Sequence, residues 1–213
     1  MVQKIPLKKE SEKKNSLTNV PFPRIVKEPT NREKKMSKKV LILSGSPRKG
    51  GNSETLCEQF AAGAAQAGHE VEILHLGDCN INFCKGCCVC QNSGRCPWND
   101  DGEMVSQKLL SSDVIVLSTP VYFYTMSAQL KTAIDRSIMV YPNIKNKDFY
   151  FIMTMGDTQE ENFKGTLEAL RGFVLCCEDS REKGVISAAG VYEKGEVKAS
   201  KAMQEAFDAG KNC

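Results

Sequence analysis

Short apolar runs alternate with helical patterns from Lys39 to the end of the chain, and this alternation limits the possible folds more than any other feature. Runs such as VLIL and VIVL contain no polar residue, which is typical of parallel strands that are covered on both faces. The run VEILHL is interrupted by Glu72 and His75, which predicts a strand at the edge of the sheet. The pattern predicts five strands, at residues 40–43, 71–76, 114–117, 149–153 and 185–189.

Apolar residues at helical spacing fill the intervals between the strands. In the first interval, Leu56, Phe60 and Ala64 predict a helix, with Ser53 as its candidate N-cap and Gly68 placed to end it. The alternation implies right-handed βαβ crossovers and a doubly wound α/β fold with a five-stranded parallel sheet. Ligands of such sheets bind beyond the carboxyl ends of the strands. Further helices are predicted from near residue 102 and at residues 130–138, 163–174 and 199–209.

The first 37 residues differ in composition from the rest of the chain. Residues 1–35 contain ten Lys or Arg against four Glu, a net charge of +6, whereas residues 36–213 contain nineteen basic and twenty-two acidic residues, a net charge of −3. Four of the eight prolines also lie in the first segment, which shows no strand or helix period. We therefore predict a disordered basic extension at residues 1–37 and one folded domain at residues 38–213.

Composition also limits the location and the partners of the protein. No apolar run is long enough for a secretory signal or a membrane span. The ten cysteines stand in a chain with enough apolar residues for a core, which favours reduced thiols over a secreted disulfide scaffold. We expect a cytoplasmic protein without a membrane partner. The mildly acidic body contains no recognisable reading module, so no nucleic-acid partner is expected.

A cysteine-rich insertion follows the second predicted strand. Residues 77–101 are too many for an ordinary β-to-α connection of about 2 to 6 residues, which indicates a functional segment, here called the cysteine loop. Its sequence FCKGCCVCQNSGRC contains a ladder with the spacing C-x2-C-x2-C-x5-C. Such short spacings are typical of metal sites. The cysteine ladder consists of Cys84, Cys87, Cys90 and Cys96.

Three interpretations of the cysteine ladder remain open from the residues alone. The thiols could be small packing residues, although the loop is polar and rich in glycine. Four thiolates could bind zinc, but structural zinc more often uses two separated C-x2-C pairs. Four closely spaced thiolates also suit a 4Fe-4S cluster, which leaves Cys88 without a role. The neighbouring Asp100 and Asp101 are interpreted as a cap for the next helix rather than as an acid–base pair.

The loop after the first strand has the features of a phosphate site. The segment GSPRKGGNS leads directly into the first helix, where unsatisfied N–H groups and the helix dipole favour an anion. It lacks both the Lys-Ser/Thr ending of a P-loop and the G-x-G-x-x-G pattern, so neither of those nucleotide sites is present. The candidate phosphate-binding residues are Ser46, Arg48, Asn52 and Ser53.

Two further loops follow the third and fourth strands at the same predicted edge of the sheet. In the first of these, Pro120 restrains the turn, and the flat side chains of Tyr122 and Phe123 suit a flat apolar ring. Backbone amides of this loop, which also contains Val121, are expected to hydrogen-bond such a ring. Residues 154–157 form the second loop and are expected to line the same site.

The strings SGSPRKGGNSETL and STPVYFYTMSAQLKTAIDR together resemble the NADPH-dependent FMN reductase and iron-sulfur flavoprotein group of the flavodoxin-like superfamily. The resemblance covers nearly all of residues 38–210 and implies a flavodoxin-like fold that binds FMN. By this match, the first loop holds the FMN phosphate through Ser46, Arg48, Asn52 and Ser53. The second loop, residues 120–123, would lie along the isoalloxazine ring, and the cysteine ladder would hold a 4Fe-4S cluster.

The resemblance also implies an activity. We expect an FMN-dependent oxidoreductase that passes electrons from NAD(P)H or reduced ferredoxin, through flavin and a 4Fe-4S cluster, to quinones, oxygen species or other small acceptors. The alternatives are an FMN or quinone reductase without a cluster and a non-enzymatic flavin electron carrier. Family members imply a homodimer or homotetramer. No acid–base residue is assigned, because the flavin carries its own chemistry.

Overall fold

The computed structural model describes residues 36–213, so the predicted extension at residues 1–37 lies outside the described residues except for its last two. The five predicted strands are confirmed, each extended by one to four residues at its ends or shifted by one. They are β1 Lys39–Ser44, β2 Glu70–His75, β3 Val114–Pro120, β4 Asp148–Thr154 and β5 Arg181–Ala188.

The strands form one parallel sheet in the order β2-β1-β3-β4-β5, which confirms the flavodoxin-like doubly wound fold and the edge position of β2. The chain runs outward from β1 to β2 and then returns to the other side of β1 at β3. The crevice between the carboxyl ends of β1 and β3 is therefore the topological switch point, where open α/β sheets bind ligands.

The described residues form six α-helices, of which one lies in the cysteine loop and the other five pack on the sheet. The first ends as the sequence predicts, with Gly68 in the left-handed region at φ +87°. The prediction of Ser53 as its N-cap was wrong, because the N-cap is Gly51, two residues earlier, and the helix begins at Asn52. The helices are α1 Asn52–Gln66, α2 Val89–Ser93, α3 Gly102–Ser111, α4 Ala128–Arg136, α5 Lys164–Leu175 and α6 Ala202–Lys211.

Two hydrophobic cores lie on opposite faces of the sheet, which explains why the strands lack polar alternation. In β1, Leu41 and Leu43 pack on the face covered by α3, α4 and α5, whereas Val40 and Ile42 pack on the face covered by α1 and α6. The strand β3 alternates in the same way. Because both faces of the central strands are buried, their ends and loops are the only parts that can meet a ligand.

Candidate flavin site and cysteine loop

The N-terminus of α1 presents free backbone donors at the switch point. Thr55 is the first residue of this helix whose N–H bonds backward, to Gly51 O at 3.0 Å. Within residues 36–213, the N–H groups of Asn52, Ser53 and Glu54 have no hydrogen-bond acceptor. Three N–H groups at a helix N-terminus are suited to an anion, because the helix dipole adds to their attraction.

Arg48 provides a positive charge beside these donors. Its Nη1 donates to Tyr192 O at 3.0 Å, and its guanidinium lies 5.9 Å from the centre of the Tyr192 ring. Lys194 lies in the same loop as Tyr192 and donates from Nζ to Lys49 O at 2.6 Å. The Lys49 side chain instead forms an ion pair with Asp78, at 2.8 Å. Arg48 and Lys194 are therefore the cations that line the site.

The two predicted serines have different partners. Ser46 accepts a hydrogen bond from Arg48 N at 3.2 Å and so stabilises the turn. Ser53 is buried, and its hydroxyl shares a 2.6 Å hydrogen bond with the hydroxyl of Thr154 at the end of β4. Ser53 thus ties the start of α1 to β4, which fixes the direction in which the helix N-terminus points.

Asn52 has all its side-chain hydrogen-bonding groups engaged within the fold. Its amide donates to Val191 O at 3.2 Å and to Glu193 O at 2.8 Å, and its carbonyl oxygen accepts from Gly195 N and Val197 N at 3.0 and 3.3 Å. These bonds hold the loop after β5 against α1. The structure therefore leaves Asn52 its backbone N–H, rather than its side chain, for a ligand.

Gly45 brings the first loop close to the third strand. Its N–H donates to Ser118 O at 2.8 Å, and a Cβ at this position would lie 2.8 Å from both Ser118 O and Leu130 Cβ. The hydroxyl of Ser127, the N-cap of α4, donates to Gly45 O at 2.7 Å. No larger residue fits here, so glycine is required for the two loops to converge.

The loop after β3 ends in a tight turn of aromatic residues. Tyr122 and Thr125 form a two-bond bridge, and between them Phe123 and Tyr124 have φ values of +48° and +61°. The N–H groups of Val121 and Tyr122 are already engaged, so in the described chain only the Phe123 N–H of residues 120–123 is a free donor. The prediction that backbone amides of this loop hydrogen-bond a ring stays a prediction. The Phe123 side chain is 99% exposed.

One cavity, here called the strand-end cavity, unites these loops. It contains seven of the eight predicted residues, and Phe123 is outside its lining. Residues Thr154, Met155 and Gly156 also line it, as their position after β4 predicts. The sequence analysis missed Val191, Tyr192 and Lys194, which a systematic search of the fifth strand's carboxyl end would have found. The seven residues are Ser46, Arg48, Asn52, Ser53, Pro120, Val121 and Tyr122.

All four cysteines of the ladder line a second cavity, here called the cysteine cavity, together with Trp98 and Arg136. Cys90 is buried on α2, and the other three reach the cavity from irregular backbone on either side. The Lys85 ammonium lies 3.9 Å from the centre of the Trp98 ring. This cation–π contact connects the first half of the cysteine loop to its second half. All four ladder cysteines are free thiols.

A buried ion pair connects the end of the cysteine loop to α4. Asp100 accepts from Arg136 Nη1 and Nη2 at 2.8 Å each, and the two side chains are 1% and 2% exposed. Asp100 also accepts from Asn82 N at 2.9 Å and from Gly102 N, the first residue of α3, at 3.0 Å. The N-cap of α3 is Asp101, whose side chain makes no capping hydrogen bond and accepts from Asn80 N at 2.7 Å instead. Of the two predicted cap residues, Asp101 thus occupies the cap position and Asp100 supplies the hydrogen bond to the helix. The hydrogen bonds from the Arg136 guanidinium, and then those from Asn82 and Gly102, hold the pKa of Asp100 well below its ordinary value of 3.8, although burial acts in the opposite direction.

The thiols of the ladder interact electrostatically. Burial is the main reason that the pKa of Cys90 is raised, and the neighbouring thiolates of Cys96, Cys87 and Cys84 raise it further. Among residues 36–213, no three His, Cys, Asp or Glu side chains are arranged tightly enough to hold a single metal ion. Zinc needs four ligands about 2.3 Å from one centre, so a mononuclear site is not preformed here.

Comparison with known proteins decides between the possible families. Residues 38–174 match the model of the family described as NADPH-dependent FMN reductase. The chain belongs to this family. Membership makes it a flavin-dependent NAD(P)H oxidoreductase, with FMN as its cofactor. The resemblance of the two motifs to this group is thereby confirmed.

Relatives within the family include iron-sulfur flavoproteins. One from Methanocaldococcus jannaschii is 42% identical over 139 residues, which cover 64% of this chain and 72% of the relative. Another, from Archaeoglobus fulgidus, is 39% identical over 121 residues, which cover 55% of this chain and 59% of the relative. The chain thus spans between about three fifths and three quarters of the length of these two relatives.

Solved structures confirm the fold. An NAD(P)H:quinone oxidoreductase from Methanothermobacter marburgensis superposes with a TM-score of 0.66 at 19% identity, covering 83% of this chain and 97% of that chain. An azoreductase from Bacillus anthracis gives a TM-score of 0.67 at 15% identity, covering 84% and 100%. No helix in the described part of the chain has the length and apolar character needed to cross a membrane.

Proposed function

We propose that the strand-end cavity binds FMN with its phosphate at the N-terminus of α1. The observation that carries this proposal is the set of three unpaired N–H groups of Asn52, Ser53 and Glu54, with Arg48 beside them. A phosphate dianion would satisfy the N–H groups and neutralise the cation. Ser46 and Ser53 support this site by fixing the turn and the direction of the helix.

The isoalloxazine ring would lie against the loop after β3. Pro120, Val121 and Tyr122 provide an apolar surface there, and the Phe123 N–H is available as a donor to the ring edge. When bound, FMN accepts a hydride from a nicotinamide and passes electrons on one or two at a time. The side chains around it orient the ring and exclude water, and none of them needs to act as an acid or base.

We further propose that Cys84, Cys87, Cys90 and Cys96 hold a 4Fe-4S cluster. Their thiols share one cavity and repel one another as thiolates, so bound iron would relieve that repulsion. Four closely spaced thiols in one cavity would let a single loop supply the four thiolates that such a cluster needs. Several relatives are named iron-sulfur flavoproteins.

Together these sites support electron transfer from NAD(P)H or reduced ferredoxin, through FMN and the cluster, to a small acceptor such as a quinone or an oxygen species. Homo-oligomerisation is proposed on the exposed aromatic turn, where Phe123 and Tyr124 are 99% and 62% exposed. A reducing compartment such as the cytoplasm is proposed because all ten cysteines are free.

Anaerobic purification followed by iron, acid-labile sulfide and FMN assays tests the proposal. The expected result is one FMN, four iron and four sulfide per chain. One FMN without iron would favour an FMN or quinone reductase that lacks a cluster. Full cofactor content without NAD(P)H oxidation by any acceptor, and without reduction by ferredoxin, would favour a non-enzymatic carrier. A colourless protein that binds no FMN would overturn the proposal.

A further inference from the structure

Arg136 is a buried cation in the wall of the cysteine cavity. It is the last residue of α4, its side chain is 2% exposed, and it lines the cavity together with Cys96. A fully buried arginine is rare unless its charge and its donors are satisfied. Asp100 neutralises the charge of Arg136 but accepts hydrogen bonds from only some of its N–H groups.

The guanidinium is oriented by its partners. Nη1 donates to Asn82 O at 2.7 Å and to Asp100 at 2.8 Å, and Nη2 donates to Asp100 at 2.8 Å. This fork faces Asp100, so Nε lies on the opposite side of the central carbon. In the described part of the chain the Nε–H is buried and has no hydrogen-bond partner. An unpaired buried donor is destabilising, so the Nε–H is suited to an acceptor that a bound group supplies.

Cys96 is the candidate for that acceptor. It lines the same cavity as Arg136, and after Asp100, which accepts the hydrogen bonds of the guanidinium, the Cys96 thiolate also raises the pKa of Arg136. In the described structure the Nε–H has no hydrogen-bond acceptor. A small movement of the loop on cluster binding would complete the contact.

We propose that Arg136 is a tuning residue for the cluster: its buried Nε–H donates to the Cys96 thiolate and raises the reduction potential of the cluster. The inference rests on the proposed function, because it presumes that the cysteine ladder holds a 4Fe-4S cluster. Reduction adds one electron and no proton, so the cluster becomes more negative by one charge. A cation and a hydrogen bond at a ligand sulfur stabilise that added charge, more so when the donor is buried as Arg136 is.

Because Asp100 is the partner of Arg136, a test that removes the charge must change both residues. Removing Arg136 alone would leave a buried carboxylate without its partner, which is strongly destabilising. The double variant Arg136→Gln/Asp100→Asn removes both charges and keeps hydrogen-bonding groups in place. Arg136→Lys keeps the positive charge but removes the Nε donor and the planar fork.

A matched control comes from the ion pair of Arg171 and Glu182, whose Nε–O and Nη2–O distances are 2.7 and 2.9 Å. Neither residue lines the cysteine cavity. The variant Arg171→Gln/Glu182→Gln therefore removes a bidentate pair of the same chemistry elsewhere in the fold. It shows what the loss of an ion pair does to stability alone.

The experiment is a potentiometric titration of the anaerobically reconstituted full chain with dithionite, in which electron paramagnetic resonance of the reduced cluster is followed so that flavin absorbance does not interfere. For Arg136→Gln/Asp100→Asn we expect the equilibrium constant for one-electron reduction to fall at least tenfold, which is a shift of about 59 mV to lower potential. Arg136→Lys should shift the potential in the same direction but less, and the control pair should leave it unchanged.

An unchanged potential in Arg136→Gln/Asp100→Asn would overturn the inference. So would loss of iron from both Arg136 variants while the control retains four iron per chain, because Arg136 would then only fold the loop. If the wild-type chain takes up no iron, the proposed cluster itself fails, and this outcome is distinguished by the iron assay before any titration.

Discussion

The strand-end cavity and the cysteine cavity differ in what holds their residues in place. The strand-end cavity is built from the ends of β1, β3, β4 and β5, so its geometry follows from a sheet whose core is buried on both faces. The cysteine cavity is built mostly from irregular backbone, and the buried ion pair of Arg136 with Asp100 connects it to α4.

Because the two cavities are held in place differently, loss of one site should leave the other intact. Damage to the cysteine loop should leave the helix N-terminus and the strand ends unchanged, because the loop is an insertion between β2 and α3. Damage to the first loop should leave the cysteine ladder unchanged for the same reason.

The largest effect is expected from a ligand substitution in the cysteine ladder. Cys90→Ser replaces the buried thiol of the ladder and should reduce iron to background, since a serine hydroxyl is a poor cluster ligand. FMN content should stay at one per chain. The control is Cys88→Ser, in the same loop but outside the ladder, which should keep its iron. Simultaneous loss of FMN in Cys90→Ser would contradict the separation of the two sites.

Cysteines in the core should react with a thiol reagent more than a hundredfold more slowly than cysteines in the cysteine loop. Burial raises the pKa of Cys57 to about 12, so at pH 8 only about one molecule in ten thousand carries the reactive thiolate. Cys84 and Cys88 are exposed. Iodoacetamide labelling of the iron-free protein, read by peptide mass spectrometry, checks this. Equal labelling rates for Cys57 and Cys84 would show that the core opens as readily as the loop.

An intermediate effect is expected at the phosphate site. Arg48→Ala removes a cation whose hydrogen bond to a charged group is worth about 1.5 to 3 kcal/mol, so FMN affinity should fall roughly tenfold to a hundredfold. Fluorescence quenching of FMN measures the dissociation constant. Lys49→Ala is the control, since Lys49 is paired with Asp78, and it should bind FMN as the wild type does. Equal losses in both variants would argue against a specific role of Arg48.

The smallest effect concerns the aromatic turn. Phe123→Asn/Tyr124→Gly places residues that favour positive φ where bulky side chains now adopt it, and should raise the free energy of unfolding by about 1 kcal/mol. Urea unfolding measures this change. Phe123→Ala/Tyr124→Ala removes the aromatic rings without relieving the backbone and should show no such gain. If the exposed rings form a subunit contact, both double variants should also lower the subunit count in sedimentation.

Much of the fold could be predicted because the hydrophobic pattern reports burial directly. The unbroken run VIVL in β3 and the interrupted run VEILHL in β2 correctly indicated a central and an edge strand. The N-cap of α1 could not be predicted in this way. Ser53 has the right chemistry for a cap, but its hydroxyl instead bonds to Thr154, which is 101 residues away.

The candidate site was predictable where local sequence defines it, and not where distant segments meet. The glycine-rich loop with Arg48 lies at one strand end, so the residues themselves indicated an anion site. The role of Asn52 in holding the loop after β5, and the position of Tyr192 beside Arg48, depend on contacts over more than 130 residues. The sequence likewise gives no indication that Arg136 pairs with Asp100. The assignments of the individual FMN and cluster ligands stay predictions.

The decisive measurement is a crystal structure of the full chain with FMN bound. We expect the phosphate within hydrogen-bonding distance of the N–H groups of Asn52, Ser53 and Glu54 and of the Arg48 guanidinium, with the ring against residues 120–122. A phosphate bound elsewhere, with those three N–H groups still unpaired, would contradict it.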